Sequence, residues 1–340
     1  RAQSFKTNSQ NWLLYEAIEH KTEYNEEELR LEMGYRNSNK FAVAKNYLYY
    51  FILETLGLYN KDSPSRKVRN ALDYIEILSS KGLDEQSQRI LRKAKKVAQE
   101  YQLKKELLEI NDWEVYFLMS QNQSTELFTV IQKQRKEFNR VITDIELEAQ
   151  AKYTYNYIRN KHLVVGLVRT QEEIKELNEL LASVKKKRQN AGKVDFLSSF
   201  YHFFALAVYY FTNNHFDASY KYAREIDILW DKNEDLKKLY PNLFLVFLTR
   251  KMLFEQRLEL RSKVYKTINE GLDFLTENQG IDNKTKGVFY MYILEMYNKF
   301  ADYTKSLDTI SKLEDIRKKL KNGVFLESDE QLYMFTISDT

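Results

Sequence analysis

The sequence predicts an all-α protein, a right-handed α-α superhelix of about six helix hairpins that follows an N-terminal helical cap. Only two prolines and nine glycines occur among 340 residues. Sheets and long loops need more turn residues than that, whereas long helices tolerate few of them. Apolar residues make up 43% of the chain, with 25 tyrosines and 20 phenylalanines, which is enough for a large core. A small-or-apolar triplet also recurs along the chain after residue 63.

The net charge and the cysteine content limit which kinds of function the protein can have. The formal net charge is +4, an imbalance too small to indicate nucleic-acid binding by itself. The chain has no cysteine, which excludes disulfides, thiolate metal sites and cysteine nucleophiles and fits a cytoplasmic location. The longest apolar run, residues 203–211, is less than half the length of a membrane span, so we expect no membrane insertion.

The first 62 residues predict three helices that form the cap. The first two are short, Ser9 to His20 and Asn25 to Met33, and the third is long, Lys40 to Leu58. Asn25 with Glu28 has the helix N-cap pattern, and Gly34 is a stop signal. Residues 60–64, with Pro64, break the helical pattern. We therefore divide the chain into a cap, residues 1–62, and a repeat region, residues 63–340.

The repeat region is marked by a triplet at positions i, i+4 and i+7, which share one face of a helix. Its copies are Ser87/Leu91/Ala94, Leu177/Leu181/Val184, Ser219/Ala223/Ile226, Val264/Ile268/Gly271 and Ser306/Ile310/Leu313, with a weaker copy at Leu127/Ile131/Gln134. Small residues on such a face let a second helix approach closely. We expect Ala94 and Ala223 to be almost fully buried at these contacts.

Each triplet follows another apolar helix across a short polar turn. Residues 203–210 precede one triplet and residues 290–297 precede another, with turns at residues 213–215 and 299–302. Thr170 and Glu173 predict a capping box at the start of the helix that carries Leu177. Each unit is therefore a helix hairpin whose one-sided apolar face is buried only when units stack.

These positions resemble the tetratricopeptide-type repeat. In that family the first helix has a large–Leu–small–aromatic pattern, and the second has an aromatic residue followed by small and apolar positions. The best match here is formed by Phe203, Leu206, Ala207, Tyr210, Phe216, Ser219, Ala223 and Ile226, and residues 290–318 match next. The units are about 40–50 residues long rather than 34, and Leu294 stands where a small residue is expected. The resemblance covers roughly residues 66–320 and implies an architecture but no activity. The whole chain also resembles helical-repeat proteins of bacteria.

No residue pattern indicates catalysis, a metal or a cofactor. The four histidines, His20, His162, His202 and His215, include no pair three or four residues apart, so they form no helical metal-binding pair. Gly280 and Gly287 do not have the spacing of a phosphate-binding loop. Pairs of carboxylates lie at helix starts, where the helix dipole favours them. We expect a protein that is not an enzyme.

Basic runs near the ends of second helices have two interpretations. Arg92, Lys96, Lys185, Arg188, Arg317 and Lys321 represent the three runs. They are typical of helix ends whose dipole favours cations. Their equivalent places in different units would also align them as a basic stripe for phosphates or an acidic partner.

We predict a non-catalytic scaffold whose concave face, lined by first helices, binds a protein or peptide. The residues expected to contact the partner are Tyr153, Tyr157, Tyr201, Tyr209, Tyr290 and Tyr297, because tyrosine is frequent at binding surfaces.

The alternative is a nucleic-acid-linked regulator. Residues 26–33, Gly34 and residues 40–49 have a helix–turn–helix outline with Lys40, Lys45 and Asn46 on the second helix. The intervening loop is longer than the usual turn. The apolar side chains Phe41, Val43, Tyr47 and Leu48 should be partly buried, which favours a cap.

Overall fold

The chain is all-helical in the computed structural model, which describes residues 10–19, 21, 24–59, 62–120, 125–165, 170–190 and 194–319. Helices contain 87% of these residues, and no strand occurs among them. The helices are α1 Gln10–Glu19, α2 Glu26–Glu32, α3 Ser38–Tyr59, α4 Pro64–Ser80, α5 Asp84–Glu100, α6 Lys104–Met119, α7 Thr125–Val165, α8 Gln171–Asn190, α9 Phe196–Thr212, α10 Phe216–Asp231, α11 Glu234–Leu239, α12 Pro241–Arg257, α13 Arg261–Glu277, α14 Asn283–Lys299 and α15 Tyr303–Lys319. The predicted all-α class is confirmed.

The structure divides into two compact units, Arg1–Ala98 and Gln99–Thr340. In the first, helices α1 to α3 enclose a small core of four buried residues, Leu14, Leu29, Phe41 and Leu48. The Asn25 side chain accepts hydrogen bonds from the amides of Glu27 and Glu28. Gly34 has a φ of +74°, which ends α2 as the sequence predicts.

The burial of α3 corrects part of the sequence analysis. Phe41 and Leu48 are buried, but Val43 and Tyr47 are 54% and 68% exposed. Phe41 and Leu48 lie on the side of α3 that faces α1 and α2. Val43 and Tyr47 lie on another side of the same helix, which these helices do not cover. The first unit also contains α4 and α5, so the predicted boundary near residue 63 falls between α3 and α4, inside this unit, and stays a prediction.

The second unit consists of helices that pack as neighbouring pairs. The pairs α9–α10, α12–α13 and α14–α15 each follow directly in sequence. The largest core joins α9, α10, α12, α13 and α14 to α7 and α8 and is rich in aromatic rings, whereas Leu313 of α15 packs in a smaller cluster with Met291 and Leu294. Phe200 contacts Trp230 with ring centroids 5.6 Å apart, and Phe204 contacts Phe247 at 6.1 Å. The described residues therefore support a helical repeat fold.

One type of turn closes these pairs. The middle residue of each three-residue turn has a positive φ, at Asn214, Glu259 and Ala301. The next residue's amide bonds to a carbonyl five residues earlier, as from His215 to Tyr210 at 2.8 Å. The turns after α12 and α14 have the same bond, at 3.0 and 2.9 Å. This is the Schellman motif, and its recurrence shows that the pairs are built alike.

The predicted triplet residues are buried in the copies at Ser87, Leu177, Ser219 and Val264, whereas Ile131, Gln134 and Ile310 of the other two copies are half-buried. Ala223 is fully buried and Ala94 is 4% exposed. Gly271, at the third position of its triplet, faces the ring of Phe289. The capping box at Thr170 and Glu173 is formed in both directions at 3.2 Å. The side chain of Leu127 lies outside the described residues.

The six expected hairpins are not separate. Helix α7 is a single helix of 41 residues that packs against α6, α8 and α9. It joins the second helix of one predicted hairpin to the first helix of the next. Residues 125–165 contain neither glycine nor proline, so nothing in the sequence ends the helix. The spacing of 50 residues between the triplets at Leu127 and Leu177 reflects this continuous helix.

Candidate partner-binding groove

An open groove lies between α11, the start of α12 and α13 in the second unit. Its volume is about 570 Å³. The half-buried Phe274 and the buried Phe244, which is only 3% exposed, form its floor, with ring centroids 4.8 Å apart and ring planes at 72°. Edge-to-face aromatic pairs of this kind are favourable and rigid. The groove therefore has a fixed apolar floor.

The sequence around α11 explains how the groove forms. Leu236 is buried and holds this six-residue helix against the core. Pro241 occupies the first turn of α12, where its missing amide has no partner to lose. Below the floor, the buried Trp230 contacts Phe244 at 5.2 Å. The short helix α11 thus forms one wall of the groove.

Charges of both signs surround the floor. The Lys237 amine lies 4.9 Å from the centre of the Phe244 ring, a cation–π contact. Exposed rim residues contribute two more lysines, an amide and three carboxylates, namely Lys238, Lys266, Asn269, Glu234, Asp273 and Glu277. An apolar floor with a polar rim is the usual anatomy of a protein-binding surface.

Next to the groove, the Lys251 amine lies among three carboxyl groups, those of Asp227, Glu255 and Glu270. Lys251 pairs with Asp227 at 2.9 Å. Burial raises the pKa of Glu255 to about 7, and it also raises the pKa of Glu270, which lines the groove. Glu255 accepts a hydrogen bond of 2.8 Å from the Thr267 hydroxyl. Because Glu255 is only 1% exposed, a substrate in the groove has no access to it.

A smaller cavity of about 270 Å³ lies beside α6 and α7. The Lys104 ammonium donates to Glu148 at 2.5 Å and to Asp195 at 2.9 Å. Gln102 accepts a hydrogen bond of 3.1 Å from the first amide of α9, at Phe196. These contacts join α6, α7 and α9, so this cluster holds helices together.

The predicted tyrosines are not brought together. Tyr153 is 60% exposed and stacks on Tyr157, whose hydroxyl donates to Glu176. Tyr201, Tyr209 and Tyr297 are buried in the core, and Tyr290 is half-buried. The Tyr209 hydroxyl donates to Asn178 at 2.8 Å. Only Tyr153, Tyr157 and Tyr290 therefore present substantial surface, and partner contacts by these tyrosines stay a prediction.

The predicted basic residues differ in environment. Arg92, Lys96, Lys185 and Arg317 are exposed. Arg188 is half-buried, with its guanidinium 4.9 Å from the centre of the Phe203 ring. Lys321 lies outside the described residues. The exposed positions fit solvated helix ends, and a common stripe stays a prediction.

The three residues of the helix–turn–helix alternative are not exposed alike. Lys40 and Asn46 are exposed. Lys45 is half-buried, pairs with Glu26 at 2.7 Å and lies 5.3 Å from the centre of the Phe41 ring. This pairing raises the pKa of Lys45 and uses a charge that a phosphate contact would need.

The residues of the groove were not identified from the sequence. The sequence feature that could have indicated the groove is the spacing of 45 residues between the triplets at Ser219 and Val264. The preceding and following spacings between triplets are both 42 residues. The extra length accommodates α11. A length difference of a few residues reveals an insertion but not the cavity that it creates.

The described residues show no arrangement typical of a metal centre. No group of three or more histidine, aspartate or glutamate side chains among them is arranged to hold a metal ion. Within the same residues, no helix has the length and hydrophobicity needed to cross a bilayer. Comparison of the chain with protein-family models, curated proteins and solved structures found no match. The likeness to tetratricopeptide-type repeats therefore rests on the residues and contacts given above.

Proposed function

We propose that this protein is a non-catalytic scaffold that binds a peptide segment of a partner protein in the groove between α11, α12 and α13. The observation that carries the proposal is the aromatic floor of Phe244 and Phe274 beneath a charged rim. A groove of about 570 Å³ has the size of known ligand sites, and its openness to solvent suits a chain that passes through.

The composition of the groove indicates the kind of peptide. An apolar or aromatic side chain would be desolvated against Phe274, the half-buried ring that Phe244 supports, and such contacts supply most binding energy. The lysines on the rim would pair with acidic residues of the peptide that flank its apolar side chain, and the carboxylates on the rim would pair with basic ones. Rim pairs contribute mainly to specificity and association rate. The preferred segment is therefore an apolar anchor flanked by mixed charges.

Peptide display tests this proposal. Random peptides are selected on the wild-type protein, and the selected peptides are then measured against the double variant Lys266→Glu/Asp273→Lys. Both residues are exposed on the rim, so the fold should be retained. We expect affinity to fall about tenfold, or about 1.4 kcal/mol. Lys221→Glu/Glu225→Lys, the same exchange on the exposed side of α10, is the matched control. Equal loss in both variants, or no selected peptide, would contradict the proposal.

The finer architecture is part of the proposal. We infer that the helix pairs of the second unit continue as a right-handed superhelix of tetratricopeptide type, and that the protein is cytoplasmic. The repeated Schellman turns at Asn214, Glu259 and Ala301 support the repeat, and the lack of cysteine suits the location.

Nucleic-acid binding is the alternative, and the contacts of Lys45 weigh against it. A gel shift with random duplex DNA and RNA at about 50 mM salt distinguishes the two functions. We expect no shift. Sub-micromolar, salt-sensitive binding that is lost in Lys40→Glu/Lys45→Glu would favour the regulator instead.

A further inference from the structure

Two polar side chains of the second unit each have a buried nitrogen with no hydrogen-bond partner among the described residues. They are Arg188, near the end of α8, and His202, on α9, through the atoms Nη1 and Nδ1. His202 is 7% exposed. A buried donor without an acceptor destabilises the folded state, and more strongly when it is charged. The charge of Arg188 acts on His202, so the two side chains lie within electrostatic range, and a bound acceptor could satisfy both nitrogens.

A single aromatic ring brings the two side chains together. The ring of Phe203 lies 4.9 Å from the guanidinium carbon of Arg188 and 5.7 Å from the centre of the His202 ring. Lys185 lies almost one turn before Arg188 on α8 and has an exposed side chain. The guanidinium is thus held in place by Phe203 rather than by an acid.

The charges around this place are mainly positive. Burial, followed by the charges of Arg188 and Lys185, lowers the pKa of His202 to about 4. Burial also lowers the pKa of Arg188, and the charge of Asp195 acts in the opposite direction. Asp195 is already engaged, because it pairs with Lys104 at 2.9 Å and accepts from the amide of Ser198 at 3.1 Å. Among the described residues, Arg188 therefore has no carboxylate within ion-pair distance, and Asp195 acts on it only from further away.

We propose that Arg188, His202 and Lys185 form a binding site for a phosphate group. A planar guanidinium matches the geometry of a phosphate and can donate two hydrogen bonds to it. His202 would donate through Nδ1, and Lys185 would add a mobile charge from the rim. The guanidinium held on Phe203, the mobile Lys185 ammonium and a histidine match a dianionic phosphate better than a singly charged carboxylate. The site lies on α8 and α9 and is separate from the groove of α11, α12 and α13.

The site changes the interpretation of the basic run at residues 185–188. The run could have been a solvated helix end or part of a stripe shared among repeats. In the structure its members diverge, since Lys187 pairs with Glu146 whereas Arg188 turns onto Phe203. A local site formed by two helices accounts for the half-buried arginine, which a solvated helix end does not.

Titration with inorganic phosphate, followed by NMR of the histidine rings, tests the proposal. We expect saturable binding with a Kd of about 1 mM or below. Bound phosphate should raise the measured pKa of His202 by at least about one unit, because an opposite charge at close range favours the protonated ring. Sodium chloride at equal ionic strength and sodium acetate are run alongside. An equal response to chloride would overturn the proposal, and an equal response to acetate would overturn the preference for phosphate.

Variants give an independent measurement. Arg188→Gln should weaken phosphate binding at least tenfold, whereas Lys186→Gln, an exposed neighbour on the same helix, should leave it unchanged. If Arg188→Gln does not fold, the wild-type comparison of phosphate with chloride still decides. A phosphoserine peptide and free O-phosphoserine distinguish the two sources of the group. Tighter binding of the peptide would assign a phosphorylated chain, and equal binding a small phosphate ester.

Discussion

The Ser219 hydroxyl donates a hydrogen bond of 2.8 Å to the backbone carbonyl of Ala207, twelve residues earlier on the preceding helix. Ser87 and Ile75 form the same bond at 3.3 Å with the same separation of twelve. Thr267 reaches the Glu255 carboxylate, again twelve residues away. The pairs at Ser219 and Ser87 therefore share one register, in which a serine of the second helix bonds to the backbone of the first, whereas Thr267 bonds to a side chain of the preceding helix.

This register makes the neighbouring alanine intolerant of charge. Ala223 is fully buried four residues after Ser219. Ala223→Glu should lower the free energy of unfolding by about 3 kcal/mol or more, because it buries an unpaired carboxylate. Lys221→Glu, exposed on the same helix, should change it by only about 0.5 kcal/mol. Urea denaturation of both variants makes the comparison, and similar midpoints would show that the register is wrong.

Gly271 should be equally intolerant of a methyl group. A Cβ atom at this position would lie 2.1 Å from the ring of Phe289, which is fully buried. Gly271→Ala gains about 1 kcal/mol of helix propensity, but overpacking costs about 1–3 kcal/mol, and so close a contact belongs at the upper end. We expect a lower melting temperature. Gly280→Ala, where nothing lies within 4 Å, is the control and should melt at or slightly above the wild type.

The turn after α14 carries an alanine where glycine is favoured. Ala301 is exposed and has a φ of +55°. Ala301→Gly should raise the free energy of unfolding by roughly 0.5–1 kcal/mol, because it removes a left-handed strain that exceeds the entropy cost of glycine. Ala182→Gly, exposed within α8, should instead cost about 1 kcal/mol. Changes of the same sign in both variants would exclude strain at the turn.

Local patterns predicted the helices and the buried faces, whereas features that depend on several helices were missed. The triplet at Ser219, Ala223 and Ile226 needs only the period of one helix, and all three residues are fully buried. Tyr209 and Tyr297 belong to helices that are covered on more than one side, which a single helix pattern does not reveal. The groove depends on how α11 and α13 meet. Arg188 is a further example. Its charge can be read from the sequence, but its contact with the ring of Phe203 on another helix cannot.

Glu255 gives the last prediction, on the pH dependence of stability. Its pKa is raised from 4.5 to about 7, first by burial, while Lys251 and Lys263 act to lower it and Asp227 acts to raise it. Between these two pH values the folded protein holds a proton that the unfolded chain releases. The folded state binds more protons in that range, so its stability falls as pH rises from about 4.5 to about 7.

Glu255→Gln removes this titration and keeps an oxygen that accepts from the Thr267 hydroxyl. Near pH 5 the variant and the wild type should have similar free energies of unfolding. Near pH 8 the variant should be more stable by about 1 kcal/mol or more, since one pKa unit corresponds to about 1.4 kcal/mol. Urea denaturation at both pH values measures the difference. Glu225→Gln, an exposed change on α10, is the control, and the same pH dependence in all three proteins would show that Glu255 holds no extra proton.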